Sequence, residues 1–369
     1  MPPKIHLSTI EEGITIEVTW KDTFLLLVGA ILSFADPITD ILTLAEFYRA
    51  DHKTWFGVGL TFVILPTLVI SMLYCWHFKI DRISRVAKLL ICGFCNPFSV
   101  ALARLRGSLL CLRNFRKLWR GEELDADGHK EIKDIMFYAT WSGIFEAVLE
   151  SAPQFIIQLY AMSVQQERIS VIQMISVIIS FLSLAWTFII ADEWRILTVL
   201  SLRDRKHLEI NIGIKVKAVL YISQLFHLGS RLLAFTYFTV SFQWWLIMVV
   251  LLHSIFMVFT RCVVDLCNRT GTGACAANCF TIPVAMCLYW IRDDGAAGKT
   301  VQEKDKTLTR ILLMSNILFV IENIFMIFLY YFEGESRTWY SLPVTVCVCI
   351  FSILSAVMRV KFYRYLFSK

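Results

Sequence analysis

Charge is what this chain has least of. Only 18% of its 369 residues are Asp, Glu, Lys or Arg, while 57% are hydrophobic and the mean hydropathy is +0.62. Soluble domains carry about 25% charged and about 45–50% apolar residues, so this composition excludes an ordinary soluble globule and places the chain in a bilayer. Helix breakers are scarce as well, with 16 Gly and 8 Pro, which leaves room for long uninterrupted helices. No complete Walker phosphate-loop motif, no His-Glu-x-x-His and no Gly-x-Ser-x-Gly occurs, so an ATP-driven pump and the common hydrolases have no support and the chain reads as a non-enzyme. A potassium-filter signature and an Arg-rich voltage-sensor repeat are also missing. The net charge of +6 comes from basic residues scattered between apolar runs rather than from one patch, which argues against a nucleic-acid partner. The 11 Cys all sit in or beside apolar runs, where a reduced thiol serves as a small hydrophobe. The pairs Cys92/Cys95 and Cys275/Cys279 have metal-like spacing but lack four convergent ligands, so neither a metal nor a cofactor is expected.

What the chain does have is apolar runs of spanning length, about 20 residues each. Eight qualify, at 23–47, 55–78, 136–163, 171–192, 215–239, 243–264, 309–332 and 342–362. Two further stretches, 88–112 and 273–291, are interrupted by Asn96-Pro97 or by Pro283, or carry several Arg, and read as re-entrant hairpins. Broken backbone at membrane depth needs protein or a water-filled cavity around it. With the N-terminus inside, the outer loops hold only Arg49, Lys53, Arg168 and Arg337 of all the basic residues, a strong positive-inside asymmetry that puts both termini in the cytosol. The polar segment 1–22 carries no cleavable signal pattern. The order span, span, hairpin, span, span occurs twice, which predicts an all-α polytopic protein built as two parallel four-span repeats, 23–200 and 201–363, with a short tail at 364–369. The charged link 113–133 reads as a surface helix or a loop.

Ionisable groups at mid-membrane cost about 2.5–3.5 kcal/mol each on insertion scales, so they need partners and mark functional candidates. Asp36 and Asp40 form a stripe with Ser33 and Thr43 on one face of the first span. Glu146, Glu150, Gln154 and Gln158 recur every four residues along the third, a polar ribbon about 18 Å long at 1.5 Å per residue. Pro153 should kink that helix. Asp192 and Arg195 lie at the inner end of the fourth span, Arg231 with His227 in the fifth, and Glu322 beside Asn323 in the seventh. Counted at mid-membrane, Asp36, Asp40, Glu146, Glu150 and Glu322 face Arg231 alone, so full ionisation of the cluster is not expected. Such groups either line a transport path or hold helices in register, and the Ser176, Ser180, Ser183, Thr187 stripe reads first as close helix packing.

The run Glu150-Ser151-Ala152-Pro153-Gln154-Phe155-Ile156-Ile157-Gln158-Leu159-Tyr160 resembles the signature of the XK-related membrane proteins, in particular their apoptotic phospholipid scramblase branch. Asp36/Asp40, Asp192/Arg195, Arg231 and Ile321-Glu322-Asn323 follow in that family's order. The resemblance implies eight spans with two re-entrant segments, and movement of phospholipids, phosphatidylserine among them, between plasma-membrane leaflets without ATP. It also implies that the intramembrane charges form or shape a polar track, and that scrambling is switched on by caspase cleavage of a terminal tail. Here only Arg364 to Lys369 follow the last span, without Asp, which leaves Asp125, Asp127 and Asp294 in inner loops as weak protease sites. Two other readings compete: a non-scrambling subunit that docks a single-span chaperone, a lipid-transfer protein or a second copy, and a proton-coupled transporter using the same carboxylates.

Overall fold

The computed structural model describes residues 5–9, 14–18, 20–77, 98–120, 126–165, 169–203, 214–267, 301–334 and 339–368. All eight apolar runs fall on helices. They are α1 (Trp20–Arg49), α2 (Lys53–His77), α3 (Ser99–Trp119), α4 (Ala126–Glu146), a π-helical turn Ala147–Ser151, α5 (Ala152–Val164), α6 (Val171–Arg203), α7 (Ile214–Phe242), α8 (Trp245–Cys267), α9 (Val301–Glu333) and α10 (Ser341–Ser368). Among the described residues five helical stretches are long and apolar enough to cross a membrane: Thr23–Arg49, Val171–Asp192, Lys217–Phe242, Ser315–Glu333 and Ser341–Phe362. Lys53–Val69 and Trp245–Phe256 are apolar but shorter.

Three features depart from the sequence reading or decide between its alternatives. Segment 1–22 is not featureless polar chain, because β1 (Ile5–Thr9) and β2 (Ile14–Val18) pair antiparallel with Ile5 opposite Val18 and Leu7 opposite Ile16. Its period-two alternation, Ile5, Leu7, Thr9 and Ile14, Ile16, Val18, is a strand pattern, so the all-α expectation fails at this hairpin. Second, the charged link 113–133 is mostly helix: α3 runs on to Trp119 and α4 begins at Ala126, joined by an exposed Arg106–Glu131 ion pair of 2.8 Å. Of the stretch 88–112, residues 98–112 are described and 99–112 belong to α3, whereas Asn96-Pro97, and all of 273–291, lie outside the described residues. Third, Pro153 is preceded by the π turn, in which Ala152 N–H reaches back to Ala147 O. Proline at position 153 has no N–H to give, and the wider turn takes up the mismatch one residue earlier. Four residues of α-helix overshoot a full turn by about 40°; a wider turn rotates less per residue and counters that drift. This helps to keep Glu146, Glu150, Gln154 and Gln158 on one face, and all four are buried.

The chain divides into two compact units, Met1–Ile157 with Arg168–Lys217, and Gln158–Glu167 with Ala218–Lys369. In the first, α1 packs against α2, α3 and α6, and α3 against α4; in the second, α9 packs along α10. Both units bury polar groups and expose large apolar ones. Asp36, Glu150, Gln154 and Arg231 are at most 1% exposed, while Ile31, Ile178, Leu252, Ile255 and Phe325 are 57–64% exposed. Water would reverse that distribution; hydrocarbon accepts it.

Candidate functional site

The first unit buries four carboxylates, Asp36, Asp40, Glu146 and Glu150, and a guanidinium. Asp36 and Asp40 occupy successive turns of α1, on either side of Pro37. Ser151 Oγ donates to Asp36 Oδ2 at 2.6 Å and Ser180 Oγ to Asp36 Oδ1 at 2.5 Å, while Ser176 Oγ donates to Asp40 Oδ1 at 2.8 Å. The α6 serines therefore do more than permit close packing: Ser176 and Ser180 are hydrogen-bond donors aimed at the α1 carboxylates. Short hydroxyl side chains suit this because they donate without carrying charge and lose little rotamer freedom.

The cation of this cluster is Arg104 of α3, which the sequence reading passed over. It is 2% exposed. Its Nη1 donates to Gly29 O at 3.3 Å and to Ser33 Oγ, and its Nη2 donates to Thr187 Oγ1 at 2.9 Å. Glu146 and Asp36 act on it through space rather than by direct contact. The expectation that the buried carboxylates face Arg231 alone is thus wrong. Arg104 was hidden because 88–112 looked like a broken, Arg-studded hairpin; read as a helix, Val100, Arg104, Ser108, Cys111 and Phe115 share the buried face while Arg106 is exposed. That 3.6-residue period was the available signal.

The polar ribbon continues this cluster along α4 and α5. Gln154 Nε2 donates to Gly59 O of α2 at 2.6 Å. Glu146 Oε1, Glu150 Oε1 and Gln154 Oε1 accept no hydrogen bond among the described residues. Gln158, one step further, is buried and belongs to the second unit. Asp192 is buried on α6; Arg195 lies on the same helix but its side chain is outside the described residues, as are Asp125 and Asp294. Asp127 lies in the first turn of α4.

The second unit holds a separate network. Arg231 Nη2 pairs with Glu322 Oε2 at 2.7 Å, Arg231 Nη1 donates to Asn323 Oδ1 at 3.0 Å, and His253 Nδ1 stands 2.8 Å from both Glu322 oxygens. The guanidinium also lies over the rings of Phe235 and Phe319, at 4.4 and 5.1 Å from their centroids. His253 was missed in the sequence, although a lone His inside the run Leu251–Phe256 is costly enough to have flagged it. His227, noted there, instead packs edge-on against Phe319.

The fit around Arg104 is tight enough to test. A Cβ placed on Gly143 would stand 2.5 Å from Arg104 Nη2, and one on Gly29 2.6 Å from Trp186 Nε1. Arginine is flexible in general, but this one is pinned by three acceptors, so Gly143→Ala must displace the guanidinium from Thr187. Overpacking of this kind costs about 1–3 kcal/mol. A lowered thermal midpoint of the purified protein in detergent is the expected result, and an unchanged midpoint would show that the guanidinium yields freely.

Helices with apolar outer faces and buried charge make this chain an integral membrane protein of the helical class. More narrowly, the chain belongs to the XK-related protein family, whose description it matches over residues 24–368. It is 26% identical over 187 residues to XK-related protein 8 of Tetraodon nigroviridis (48% of this chain, 45% of the relative) and 27% identical over 188 residues to XK-related protein 8 of Gasterosteus aculeatus (47% and 45%). It is also 24% identical over 220 residues to XK-related protein 9 of Tetraodon nigroviridis (56% of each). These alignments span about half the length of each relative.

Proposed function

We propose that this protein is an ATP-independent phospholipid scramblase of the plasma membrane, exposing phosphatidylserine on the outer leaflet of apoptotic cells and so marking them for engulfment. In this reading it crosses the bilayer eight times with re-entrant segments near 88–112 and 273–291, as two parallel repeats with cytosolic termini. The observation that carries it is the ribbon Glu146, Glu150, Gln154 and Gln158, together with the acceptor oxygens of the first three, which no donor among the described residues reaches. A phospholipid headgroup must pass about 30 Å of hydrocarbon. Its ammonium and hydroxyl donors need acceptors on the way, and an amide–carboxylate ribbon supplies them while the acyl tails stay in lipid. Movement down a gradient needs no energy source.

The burial of that ribbon gives a second reading some weight: closed as it stands, it also suits a structural subunit that docks a single-span chaperone, a lipid-transfer protein or another copy. Reconstitution of the full chain into liposomes with fluorescent phospholipid separates the two. Scrambling brings inner-leaflet fluorophore within reach of an external reductant, so bleaching passes the outer-leaflet fraction, and Glu150→Leu slows it while the protein stays monodisperse. Bleaching that stops at the outer-leaflet fraction leaves the docking role.

A further inference from the structure

The Arg231–Glu322–His253 network is asymmetric. The two donors are fully buried, with side-chain exposures of 0%, whereas the Glu322 side chain is 21% exposed. The donors are also held without Glu322. Asn323 accepts from Arg231 and is itself fixed by its Nδ2, which donates to Ser230 Oγ at 3.2 Å and Ser352 Oγ at 3.3 Å. Phe235 and Phe319 hold the guanidinium plane, and the His253 ring lies 5.1 Å from that of Phe319. Glu322, in contrast, has its hydrogen bonds to those two donors, and its neighbours on α9, Ile321 and Phe325, are 59% and 62% exposed, apolar surface that suits lipid. An ionised carboxylate only accepts, so toward Glu322 at 2.8 Å the His253 Nδ1 carries the hydrogen; the same nitrogen lies 3.4 Å from Arg231 Nη2, and the anion between the two donors is what lets them converge. Together, Arg231 Nη2 and His253 Nδ1 form a pre-built two-donor fork, closed by an anion that stands at the lipid-facing edge.

We infer that Glu322 is an internal stand-in for a phosphate oxyanion, and that Arg231 and His253 form a docking site for the phosphodiester of a phospholipid headgroup, open when Glu322 swings out. A phosphodiester presents two oxygens to such a fork much as a carboxylate does, and charge-assisted bonds of this kind are about twice as strong as neutral ones. The exposed Ile321 and Phe325 beside the plug suit acyl chains, which is why a lipid rather than free phosphate is the fitting occupant. Substrate class and gating of the scramblase reading thus meet at one residue, and the inference rests on that reading.

Binding separates the two claims. Glu322→Gln keeps the shape and hydrogen-bond reach but removes the charge, so the plug competes less well. Titration of the purified full chain with monomeric dihexanoylphosphatidylcholine should show about tenfold tighter binding for Glu322→Gln than for wild type. Dihexanoylglycerol, which lacks the phosphate, should bind both proteins alike, and inorganic phosphate should bind neither. Glu322→Asp, which keeps the charge but retracts it by one methylene, should fall between. Equal affinity of wild type and Glu322→Gln for the phosphodiester overturns the plug, and so does an equal gain for dihexanoylglycerol. An equal gain for inorganic phosphate assigns the site to a soluble anion and overturns the lipid assignment. If neither Glu322 variant gives monodisperse protein, Glu322 is a structural clamp and the plug falls. Tight binding with no scrambling in liposomes keeps the site and sinks the scramblase reading instead.

Discussion

Arg104→Met is expected to leave almost no folded protein. The side chain meets Gly29 O, Ser33 Oγ and Thr187 Oγ1, and it is a buried cation that Glu146 and Asp36 act on through space. Removing one side of a buried charge arrangement costs about 3–5 kcal/mol, against a total stability of about 5–15 kcal/mol for most proteins. Methionine fills much of the volume and none of the electrostatic role. Two companions make the result specific. Arg104→Lys keeps the charge but lacks the planar fork, and cannot hold Ser33 and Thr187 together, so it should give an intermediate yield. Arg104→Met with Glu146→Gln should recover part of the loss, because Glu146 is the nearest charge in effect on Arg104. Yield and monodispersity by size-exclusion chromatography, with thermal midpoints, read all three. A fully stable Arg104→Met would show that the four carboxylates need no cation from α3.

How much of this arrangement could be read from the chain depends on the physics of each element. The helices were legible because about 20 consecutive apolar residues allow few alternatives in a bilayer. Asp36, Asp40, Glu146 and Glu150 were legible because charge in such runs is expensive. Their partners were not. Arg104 sits in a stretch with other Arg and a broken apolar pattern, where charge draws no attention. The donor role of Ser176 and Ser180 depends on the rotation of α6 about its axis relative to α1, which a repeating hydroxyl stripe does not specify. The π turn was visible only as Pro153, because sequence locates the missing N–H but not the residue that absorbs it. The β1–β2 hairpin was legible and overlooked, since its alternation lies in a segment judged by polarity instead of period.

Counting charges along the chain also merged two sets of partners, one within each unit. The carboxylates of α1 and of the α4–α5 ribbon are answered by Arg104 and by serine hydroxyls, whereas Glu322 is answered by Arg231 and His253. Net charge per depth is therefore the wrong variable; charge per contact set is the useful one.

Arg231→Met supplies the sharpest test of that separation. The substitution removes the 2.7 Å pair with Glu322 and the 3.0 Å bond to Asn323, leaving Glu322 with His253 as its hydrogen-bond partner. The expected loss is again about 3–5 kcal/mol, read as poor surface delivery and a low yield of monodisperse protein. Neutralising the stranded partner should restore much of it, so Arg231→Met with Glu322→Gln should be clearly more stable than Arg231→Met alone, with a coupling of about 0.5–3 kcal/mol as contacting residues give. Asp36→Asn, Asp40→Asn and Glu150→Gln should rescue nothing, because each removes a charge whose partners lie in the other set, and residues with no shared partners add independently. Rescue by any of these three at the level of Glu322→Gln would mean that the two networks share one charge balance, and the sequence-level count of carboxylates against Arg231 would then have been the better guide.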